Sequence, residues 1–383
     1  MAAASLKAMT GLDALSLGTN QPLNQQALVL GGGAAGLSAA LQLANLGIPT
    51  HLVERDAQLG GQWRHIRFQA DGSDPAAALD LLLSQVHNHP AITLHLESEL
   101  LHFEGSPGSF RSTISTGEHS HTIDHGVLIL ATGGQPAPTD EYLFGQDPRV
   151  LTQRQLEQQI ADGTLATAQT LVMIQCTGSR EPLRPYCSRV CCTQAVKNAL
   201  KLKELRPDMD IYIAYREVRT YGFREAYYQA ARDAGVVFVR YELPNLPAGT
   251  QKPVVQAQAN DLRITLSDPV TGQTLSLIAD LLVLSTGIEP NDQRQLAQRL
   301  DVALDDAGFF RELHPKMKPL DLGKGGLFVA GLAHSPRFLD ESIAQAQGAA
   351  MRAAAFLAAG NLSERPTSVW VNARLCSFCG LCV

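Results

Sequence analysis

Three features are missing from this sequence, and each absence excludes a class of protein. No apolar run reaches about 18 residues, so the chain should not span a membrane by itself. Basic residues are not in excess, because 31 Lys and Arg stand against 37 Asp and Glu, which argues against nucleic acid as a partner. The seven cysteines are odd in number and clustered, unlike an extracellular disulfide framework. These absences predict a protein of the reducing cytoplasm.

The first clear pattern lies in residues 27–54, which predict a strand, a glycine loop, a helix over roughly 34–46 and a second strand. The loop Gly31-Gly32-Gly33-Ala34-Ala35-Gly36 has the form G-x-G-x-x-G. Gly31 would permit the tight turn, Gly33 would let a pyrophosphate approach the backbone, and Gly36 would let helix and strand pack closely. The helix N-terminus favours phosphate, and Glu54 is placed to bind a ribose. The pattern predicts a dinucleotide site.

FAD is the predicted dinucleotide, because Gly60-Gly61 follow the acidic residue as in the FAD domain of flavoproteins with two dinucleotide folds. Segments 124–134, 279–290 and 325–357 fit the rest of that domain. Leu332 departs from the pattern, since many related proteins carry Asp after the preceding glycine. The residues expected to bind FAD are Gly31, Gly33, Ala34, Ala35, Gly36, Glu54, Arg55, Gly60, Gly61, Gln62, Ala131, Thr132, Gly133, Gly287, Gly331, Ser342 and Gln345.

A second unit of alternating strands and helices follows between about 168 and 278, which predicts another parallel sheet. In flavoproteins that use NAD(P)H, this unit carries its own glycine loop after its first strand. Here that position reads "CTGSREPLRPYCSRVCC", with Gly178 as the sole glycine. The sequence therefore predicts an α/β thioredoxin reductase-like architecture in which cysteines and arginines replace the second pyrophosphate loop.

Four cysteines occupy that loop with the spacing Cys176-x10-Cys187-x3-Cys191-Cys192. We expect a helix to begin near Ser188, with Cys187 by its N-terminus and Cys191 one turn on, where helix N–H groups stabilise thiolates. The cations nearby in sequence are Arg180, Arg184, Arg189 and Lys197. Four thiolates holding a [4Fe–4S] cluster is the favoured interpretation. A dithiol/disulfide centre, a structural zinc site and buried core cysteines are the alternatives.

Several stretches together resemble the A subunit of heterodisulfide reductase, notably "CTGSREPLRPYCSRVCCTQAVKNALKLKE", "IYIAYREVRTYG" and "HPKMKPLDLGKGGLFVAG". The resemblance covers roughly residues 26–362, in a compact form without the long archaeal extension. It implies that the four cysteines ligate a [4Fe–4S] cluster near the flavin. It also implies that Lys197 lies by the flavin N5; without the resemblance, a solvated helix face would be the expectation for this lysine.

The last residues contain Cys376-x2-Cys379-x2-Cys382, three quarters of a bacterial ferredoxin motif. The fourth cysteine would come four residues after Cys382, so the motif is incomplete within this sequence. A second [4Fe–4S] cluster is expected in the intact protein. The expected domains are an N-terminal flexible arm (1–25), an FAD domain (26–150 and 279–362), a middle Rossmann-like domain (151–278) and a ferredoxin-type start (363–383).

The resulting functional prediction is an FAD- and [4Fe–4S]-dependent electron-transfer subunit of a heterodisulfide reductase-like complex. Its expected partners are the other subunits of that complex, and two copies of this chain are a candidate homodimer. Two alternatives stay open at this point. One is an NAD(P)H-dependent disulfide reductase that uses Cys187, Cys191 and Cys192, which the missing second glycine loop disfavours. The other is a flavin-stabilised scaffold subunit whose activity lies in its partners.

Overall fold

The computed structural model describes residues 20–117, 119–165, 168–241, 252–268 and 272–363. Within these ranges the strands are β1 (Asn20–Pro22), β2 (Ala27–Leu30), β3 (Thr50–Val53), β4 (Ile92–His95), β5 (Ser98–Ser106), β6 (Ser109–Thr116), β7 (His119–His125), β8 (Val127–Leu130), β9 (Gly134–Pro136), β10 (Val150–Thr152), β11 (Thr170–Ile174), β12 (Asp210–Tyr215), β13 (Val237–Arg240), β14 (Val254–Ala257), β15 (Leu262–Ser267), β16 (Thr274–Ala279), β17 (Leu281–Leu284), β18 (Ile288–Pro290), β19 (Leu327–Val329) and β20 (Asn361–Ser363). The α-helices of the same ranges are α1 (Ala34–Asn45), α2 (Pro75–Asn88), α3 (Gln153–Asp162), α4 (Cys191–Leu205), α5 (Glu225–Asp233), α6 (Arg294–Leu300) and α7 (Leu339–Ala358).

Five parallel strands form the first sheet, in the order β19-β8-β2-β3-β4. Helices α1 and α7 cover one face, where alanines of α7 allow close packing. The antiparallel sheet β5-β6-β7 covers the other face through Phe103, Phe110 and Ile114. Because both faces are covered, every position of β2 and β8 is buried, and this explains their unbroken apolar sequences.

The second sheet is also parallel, in the order β10-β17-β11-β12-β13, and confirms the predicted second unit. Helices α3 and α4 pack on one face, and the sheet β14-β15-β16 packs on the other. The sequence placed the return to the FAD domain at residue 279, but β17 pairs with β10 and β11. The first domain therefore resumes after Leu284. An apolar strand such as β17 fits the middle of either sheet, so its own sequence does not identify its partners.

The two sheets are linked by an antiparallel ribbon of β9 and β18, in which Gly134 pairs with Pro290. Strand β9 follows β8 of the first sheet, and β18 follows β17 of the second sheet. The ribbon therefore brings the carboxyl ends of strands from both sheets together. Ligands of parallel α/β folds bind at such strand ends.

The amino-terminal residues of the described chain are part of the fold. Strand β1 pairs with β20, and the Leu23 N–H donates to the Gly360 carbonyl at 3.0 Å. The sequence predicted a flexible arm over residues 1–25. Asn20–Pro22 do not belong to such an arm, because they pair with β20. None of the helices in the described ranges combines the length and apolar character needed to cross a membrane.

Candidate functional site

A cavity of about 980 Å³ is lined by residues that follow strands of both parallel sheets. This volume lies at the upper end of the roughly 300–1,000 Å³ that is usual for ligand sites, which suits a ligand as large as a dinucleotide. The predicted FAD-binding residues that line it are Gly31, Gly33, Ala34, Ala35, Glu54, Arg55, Gly61, Gln62, Ala131, Thr132, Gly133, Gly287, Gly331 and Ser342. Gly36, Gly60 and Gln345 are not in the lining.

The glycine loop has the geometry that its spacing predicted. Gly31 has a φ of 105°, and a Cβ there would lie 2.3 Å from the Ala131 carbonyl oxygen. A Cβ on Gly36 would lie 1.7 Å from the Gly31 carbonyl oxygen, so α1 can pack this closely on the turn only with glycine. A Cβ on Gly33 would meet nothing within 4 Å. The space in front of Gly33 belongs to the cavity, as a cradle for phosphate requires.

Glu54 is buried behind this loop and also lines the cavity. Its Oε2 accepts a hydrogen bond from the Gly32 N–H at 2.5 Å, and its Oε1 accepts one from the Asp56 N–H at 3.0 Å. The carboxylate therefore braces the glycine loop, a role that the sequence did not predict. Its predicted contact with a ribose stays a prediction.

On the opposite wall, the turn after β19 is held by a residue behind the lining. The Gly331 N–H donates to Gln345 Oε1 at 2.7 Å, and Gln345 Nε2 lies 2.8 Å from His334 Nδ1. Gln345 thus fixes the turn from behind and does not face the cavity. The N-terminus of α7 begins just beyond, and Ser342 of its first turns lines the cavity.

Three residues of the lining carry a buried polar atom that has no hydrogen-bond partner among the described residues. These atoms are Thr193 Oγ1, Gln293 Nε2 and Arg337 Nε. Buried polar atoms are seldom left unpaired in native proteins. A ligand bound in the cavity would supply the missing partners, so the lining fits a polar cofactor.

The four cysteines lie in the loop after β11 and in the first turn of α4, all as free thiols. Burial raises the pKa of the Cys191 thiol well above its ordinary value, and Coulomb repulsion from the other three thiols raises it further. Mutual repulsion of this kind requires that the four groups lie near one another. Cys191 also lines the cavity. Cys191 and the glycine loop therefore face the same space.

Backbone strain accompanies the thiols. Cys176, Arg180 and Arg189 have φ angles of 60°, 59° and 64°, in the left-handed region that non-glycine residues rarely adopt. Such conformations cost about 1–3 kcal/mol each and concentrate at functional sites. The turn at Arg189 directs its N–H to Cys187 Sγ at 3.3 Å. The strained loop thus directs a backbone N–H donor to the sulfur of Cys187.

Two sequence predictions for this loop are wrong. Helix α4 begins at Cys191 and not near Ser188, because the left-handed Arg189 interrupts any earlier helical turn. Cys187 therefore precedes the helix. All four predicted cations are paired with a carboxylate, so they offset less thiolate charge than the sequence predicted. Arg184 pairs with Glu289 at 3.1 Å and Lys197 with Glu157 at 2.8 Å. Arg180 pairs with Glu217 at 3.2 Å and Arg189 with Glu341 at 3.0 Å.

The cations that do act on the thiols come partly from elsewhere. Burial raises the pKa of Cys176, and the positive charges of Arg180 and Arg216 oppose that shift. Arg219 interacts with both Cys187 and Cys192. Arg216 and Arg219 follow β12, more than 20 residues after the cysteines, and the spacing of the cysteine loop did not predict them. Arginines from the loop after β11 and from the loop after β12 therefore favour the thiolate forms of these cysteines.

Four cysteine thiols are a donor set that an iron–sulfur cluster can use. Burial raises the pKa of the Cys192 thiol to about 12, so thiolates here require a bound cation or cluster. Among the described residues, no three Cys, His, Asp or Glu side chains stand close enough to hold a single metal ion. Each thiolate of a four-iron cluster binds a different iron, so its ligands are spaced more widely than those of one ion. Four grouped thiols with arginines beside them fit such a cluster in number and chemistry.

Lys197 lies inside the molecule and lines the cavity. Its Nζ donates to the Phe68 carbonyl at 3.0 Å and pairs with Glu157 Oε1 at 2.8 Å. Burial lowers the pKa of Lys197, and the Glu157 carboxylate opposes that shift. A solvated helix face, the alternative for this lysine, is therefore wrong. Glu157 was missed because "QLEQQI" reads as an exposed helix, yet its side chain is only 2% exposed.

Comparisons with known proteins agree with these observations. A family model described as an NAD(P)-binding Rossmann-like domain matches residues 29–104. The A subunit of a ferredoxin:CoB-CoM heterodisulfide reductase from Methanosarcina acetivorans is 28% identical, over 94% of this chain and 60% of the relative. The second iron-sulfur A subunit of the Methanopyrus kandleri CoB–CoM heterodisulfide reductase is 27% identical, over 100% of this chain and 71% of the relative.

A heterodisulfide reductase A-like protein of Archaeoglobus profundus is also 27% identical, over 94% of this chain and 70% of the relative. Over nearly its whole length, the chain is therefore similar to heterodisulfide reductase A subunits. The resemblance seen in the sequence is confirmed. The chain spans about 60% of the length of the Methanosarcina relative.

Solved structures support the fold of this chain. Thioredoxin reductase of Lactococcus lactis superimposes with a TM-score of 0.60 and 16% identity, covering 88% of this chain and 99% of that one. Thioredoxin reductase of T. acidophilum gives 0.57 and 17%, covering 87% and 97%. The thioredoxin reductase-like α/β fold is confirmed.

Proposed function

We propose that this chain is an FAD- and [4Fe–4S]-dependent electron-transfer subunit of a heterodisulfide reductase-like complex. The observation that carries the proposal is a single cavity lined both by the glycine loop and by Cys191, the first residue of α4. When bound, FAD exchanges electron pairs and a [4Fe–4S] cluster exchanges single electrons. A wall shared by the two sites would keep the two groups close enough for transfer.

The dinucleotide would be held by the residues that the fold presents to the cavity. The open space at Gly33 and the N-terminus of α1 suit a pyrophosphate, and Glu54 suits a ribose hydroxyl. FAD is favoured over NAD because the cavity continues from Gly61 to Lys197, in the second domain. There the ammonium group would stabilise negative charge on a flavin.

The four thiols Cys176, Cys187, Cys191 and Cys192 would hold the cluster. Arg216 and Arg219 would offset its negative charge, and the Arg189 N–H donates to the sulfur of Cys187. Hydrogen bonds to sulfur and nearby cations are among the features by which a protein sets the reduction potential of a cluster. The residues of this chain would therefore both bind the cluster and set its reduction potential.

Partners and location follow from the same chemistry. A cluster that passes on single electrons needs a protein acceptor, and we propose other subunits of a heterodisulfide reductase-like complex, together with pairing of two copies of this chain. The clustered, odd cysteines favour the cytoplasm. A second cluster at Cys376, Cys379 and Cys382 is part of the proposal and lies outside the described residues.

The test is iron, acid-labile sulfide and zinc per FAD in protein purified without oxygen, with EPR spectra after dithionite reduction. We expect at least about four iron and four sulfide per FAD, and a reduced-cluster signal that Cys191→Ala removes. Cys379→Ala is the matched control, because it removes a tail thiol and should leave that signal in place. FAD without iron, together with a disulfide that NADPH reduces, would establish the disulfide reductase instead. Iron and FAD that no donor reduces would favour the scaffold role.

A further inference from the structure

One end of the cavity carries positive charge that no carboxylate of the described residues pairs directly. Arg154 of α3 and His65 line the cavity there, and Arg67 lies beside them. No carboxylate in the described ranges lies within ion-pair distance of Arg67 or Arg154. Arg154 Nη1 donates to Gln62 Oε1 at 3.2 Å, and Arg67 Nε donates to Gln158 Oε1 at 2.6 Å. Amide oxygens orient these guanidinium groups without neutralising them.

The guanidinium groups of Arg154 and Arg67 repel each other, and both disfavour protonation of His65. Burial lowers the pKa of Arg154, and the neighbouring Arg67 lowers it further. Burial also lowers the pKa of His65, and Arg154, Arg67 and Arg64 add to that effect. Solvent screens part of this repulsion, because His65 and Arg67 are exposed, and a bound anion would reduce the remainder.

The nearest carboxylate is already engaged. Glu157 acts on Arg154, but its Oε1 accepts from Lys197 Nζ at 2.8 Å and from the Arg67 backbone N–H at 2.8 Å. One carboxylate therefore serves a buried lysine and a backbone donor. It leaves the two guanidinium groups with a net positive field at the cavity.

Two other carboxylates of the lining are committed to their own turns. Asp71 Oδ1 accepts from the Ser73 N–H at 3.0 Å and from its hydroxyl at 2.7 Å. Asp74 caps α2 by accepting from the N–H groups of Ala76 and Ala77. Neither is oriented by an arginine. Asp71 and Asp74 therefore form no ion pair with Arg154 or Arg67.

We infer that Arg154, Arg67 and His65 form an oxyanion subsite at the positively charged end of the cavity, for the carboxylate or phosphate of a small molecule that exchanges electrons with the flavin. The inference rests on the proposed function, because the subsite adjoins the Lys197 and Glu157 end of the cavity. Guanidinium groups bind carboxylate and phosphate through paired N–H donors. Arg154 and Arg67 each use one nitrogen on a glutamine, so other N–H groups remain for the ligand.

The test uses the full chain purified with its flavin, after FAD per chain has been measured. Inorganic pyrophosphate and citrate are titrated separately by calorimetry at constant ionic strength. Arg154→Gln and Arg67→Gln should each weaken binding of the preferred oxyanion about tenfold or more, because each removes charge-assisted hydrogen bonds. Arg263→Gln, on β15 and away from the cavity, is the matched control and should bind as the wild type does.

The two titrations identify the source of the anionic group. Tighter binding of pyrophosphate indicates a phosphorylated donor, and tighter binding of citrate indicates a carboxylic acid. Protein that contains FAD but binds neither anion overturns the subsite alone, as does equal binding by all three variants and the wild type. Protein that does not bind FAD contradicts the proposed function, and that result is obtained before either titration.

Discussion

Glycines three positions apart in one loop meet different constraints. Gly36 is required by packing, because the position of its missing Cβ is occupied by the Gly31 carbonyl. Gly33 faces open space and has an extended backbone with a φ of −79°, which any residue can adopt. The fold therefore needs glycine at residue 36, whereas only a ligand needs it at residue 33.

This difference predicts opposite effects of two equally small substitutions. Gly36→Ala should lower the free energy of unfolding by at least about 2 kcal/mol, because backbone atoms must move to relieve the overlap. Gly33→Ala should leave the stability of the flavin-free protein unchanged and weaken FAD binding. Thermal unfolding of the flavin-free proteins and FAD titration measure the two effects. Full FAD affinity in Gly33→Ala would contradict the assignment of the cradle.

His125 is a buried residue whose protonation the fold opposes. Its Nδ1 lies 3.0 Å from the Val127 carbonyl oxygen and its Nε2 lies 2.8 Å from Ser112 Oγ, so the neutral ring satisfies both partners. Burial lowers the pKa of His125 to about 4. In the unfolded chain the pKa of histidine is about 6.5.

Because the folded pKa lies below the unfolded one, His125 stabilises the fold fully above about pH 6.5. That contribution is lost as the pH falls toward 4, at up to roughly 1.4 kcal/mol per pH unit. We expect the unfolding free energy to fall between pH 7 and pH 5, and His125→Gln to reduce that slope. His87→Gln, an exposed site on α2, should keep the wild-type slope. Equal slopes in all three proteins would count against this role.

At the scale of elements, helices α3 and α4 are joined by buried polar groups next to the cavity. Lys197 pairs with Glu157, and the adjacent Asn198 Nδ2 donates to the carbonyl and side-chain oxygens of Gln153 at 3.1 and 2.9 Å. Removing one partner of a buried ion pair leaves the other charge unpaired, which costs about 3–5 kcal/mol. The pair therefore fixes how the two helices meet as well as the charge in the cavity.

Lys197→Met and Glu157→Gln should each destabilise the protein by about 3 kcal/mol in denaturant unfolding. The double variant should lose less than the sum of the two, because neither charge is then left alone. The exposed pair of Lys201 and Glu204 on α4 provides the control: Lys201→Met should change stability by no more than about 0.5–1 kcal/mol. Strict additivity in the double variant would show that the pair is not coupled.

At the scale of the whole molecule, side-chain bridges tie the cysteine loop to helix α7. Arg189 Nη2 donates to Glu341 Oε1 at 3.0 Å, and the Tyr221 hydroxyl donates to the same oxygen at 2.7 Å. Glu341 Oε2 accepts from the Phe338 N–H at 3.1 Å at the start of α7. One carboxylate therefore connects the thiol loop with the helix N-terminus that lines the cavity.

Glu341→Gln should loosen both ends of this bridge, since the amide carries no charge for Arg189. We expect faster backbone hydrogen exchange at residues 185–192 and at residues 338–342. Asp340→Asn is the control: its side chain, 69% exposed, pairs with Arg224 and not with the thiol loop. Exchange that rises only in α7 would show that Glu341 caps the helix without coupling the domains.

The sequence by itself determined the features that depend on neighbouring residues. The glycine loop, α1 and Glu54 lie within one strand–helix–strand unit, so spacing alone located them. The four cysteines lie within 17 positions of the chain, and their number and grouping identified the thiol site. Alternating apolar runs indicated two parallel sheets, because strands covered on both faces are apolar throughout.

Only the tertiary structure decided which distant groups meet. Glu157 reaches Lys197, and Arg219 reaches Cys187, because α3, α4 and the segment after β12 converge at the ends of their strands. The sheet that contains β17 depends on pairing with β10 and β11, and the start of α4 depends on the left-handed turn at Arg189. Ion pairs and strand partners depend on packing between residues far apart in the chain, so the local periodicity of the sequence does not predict them.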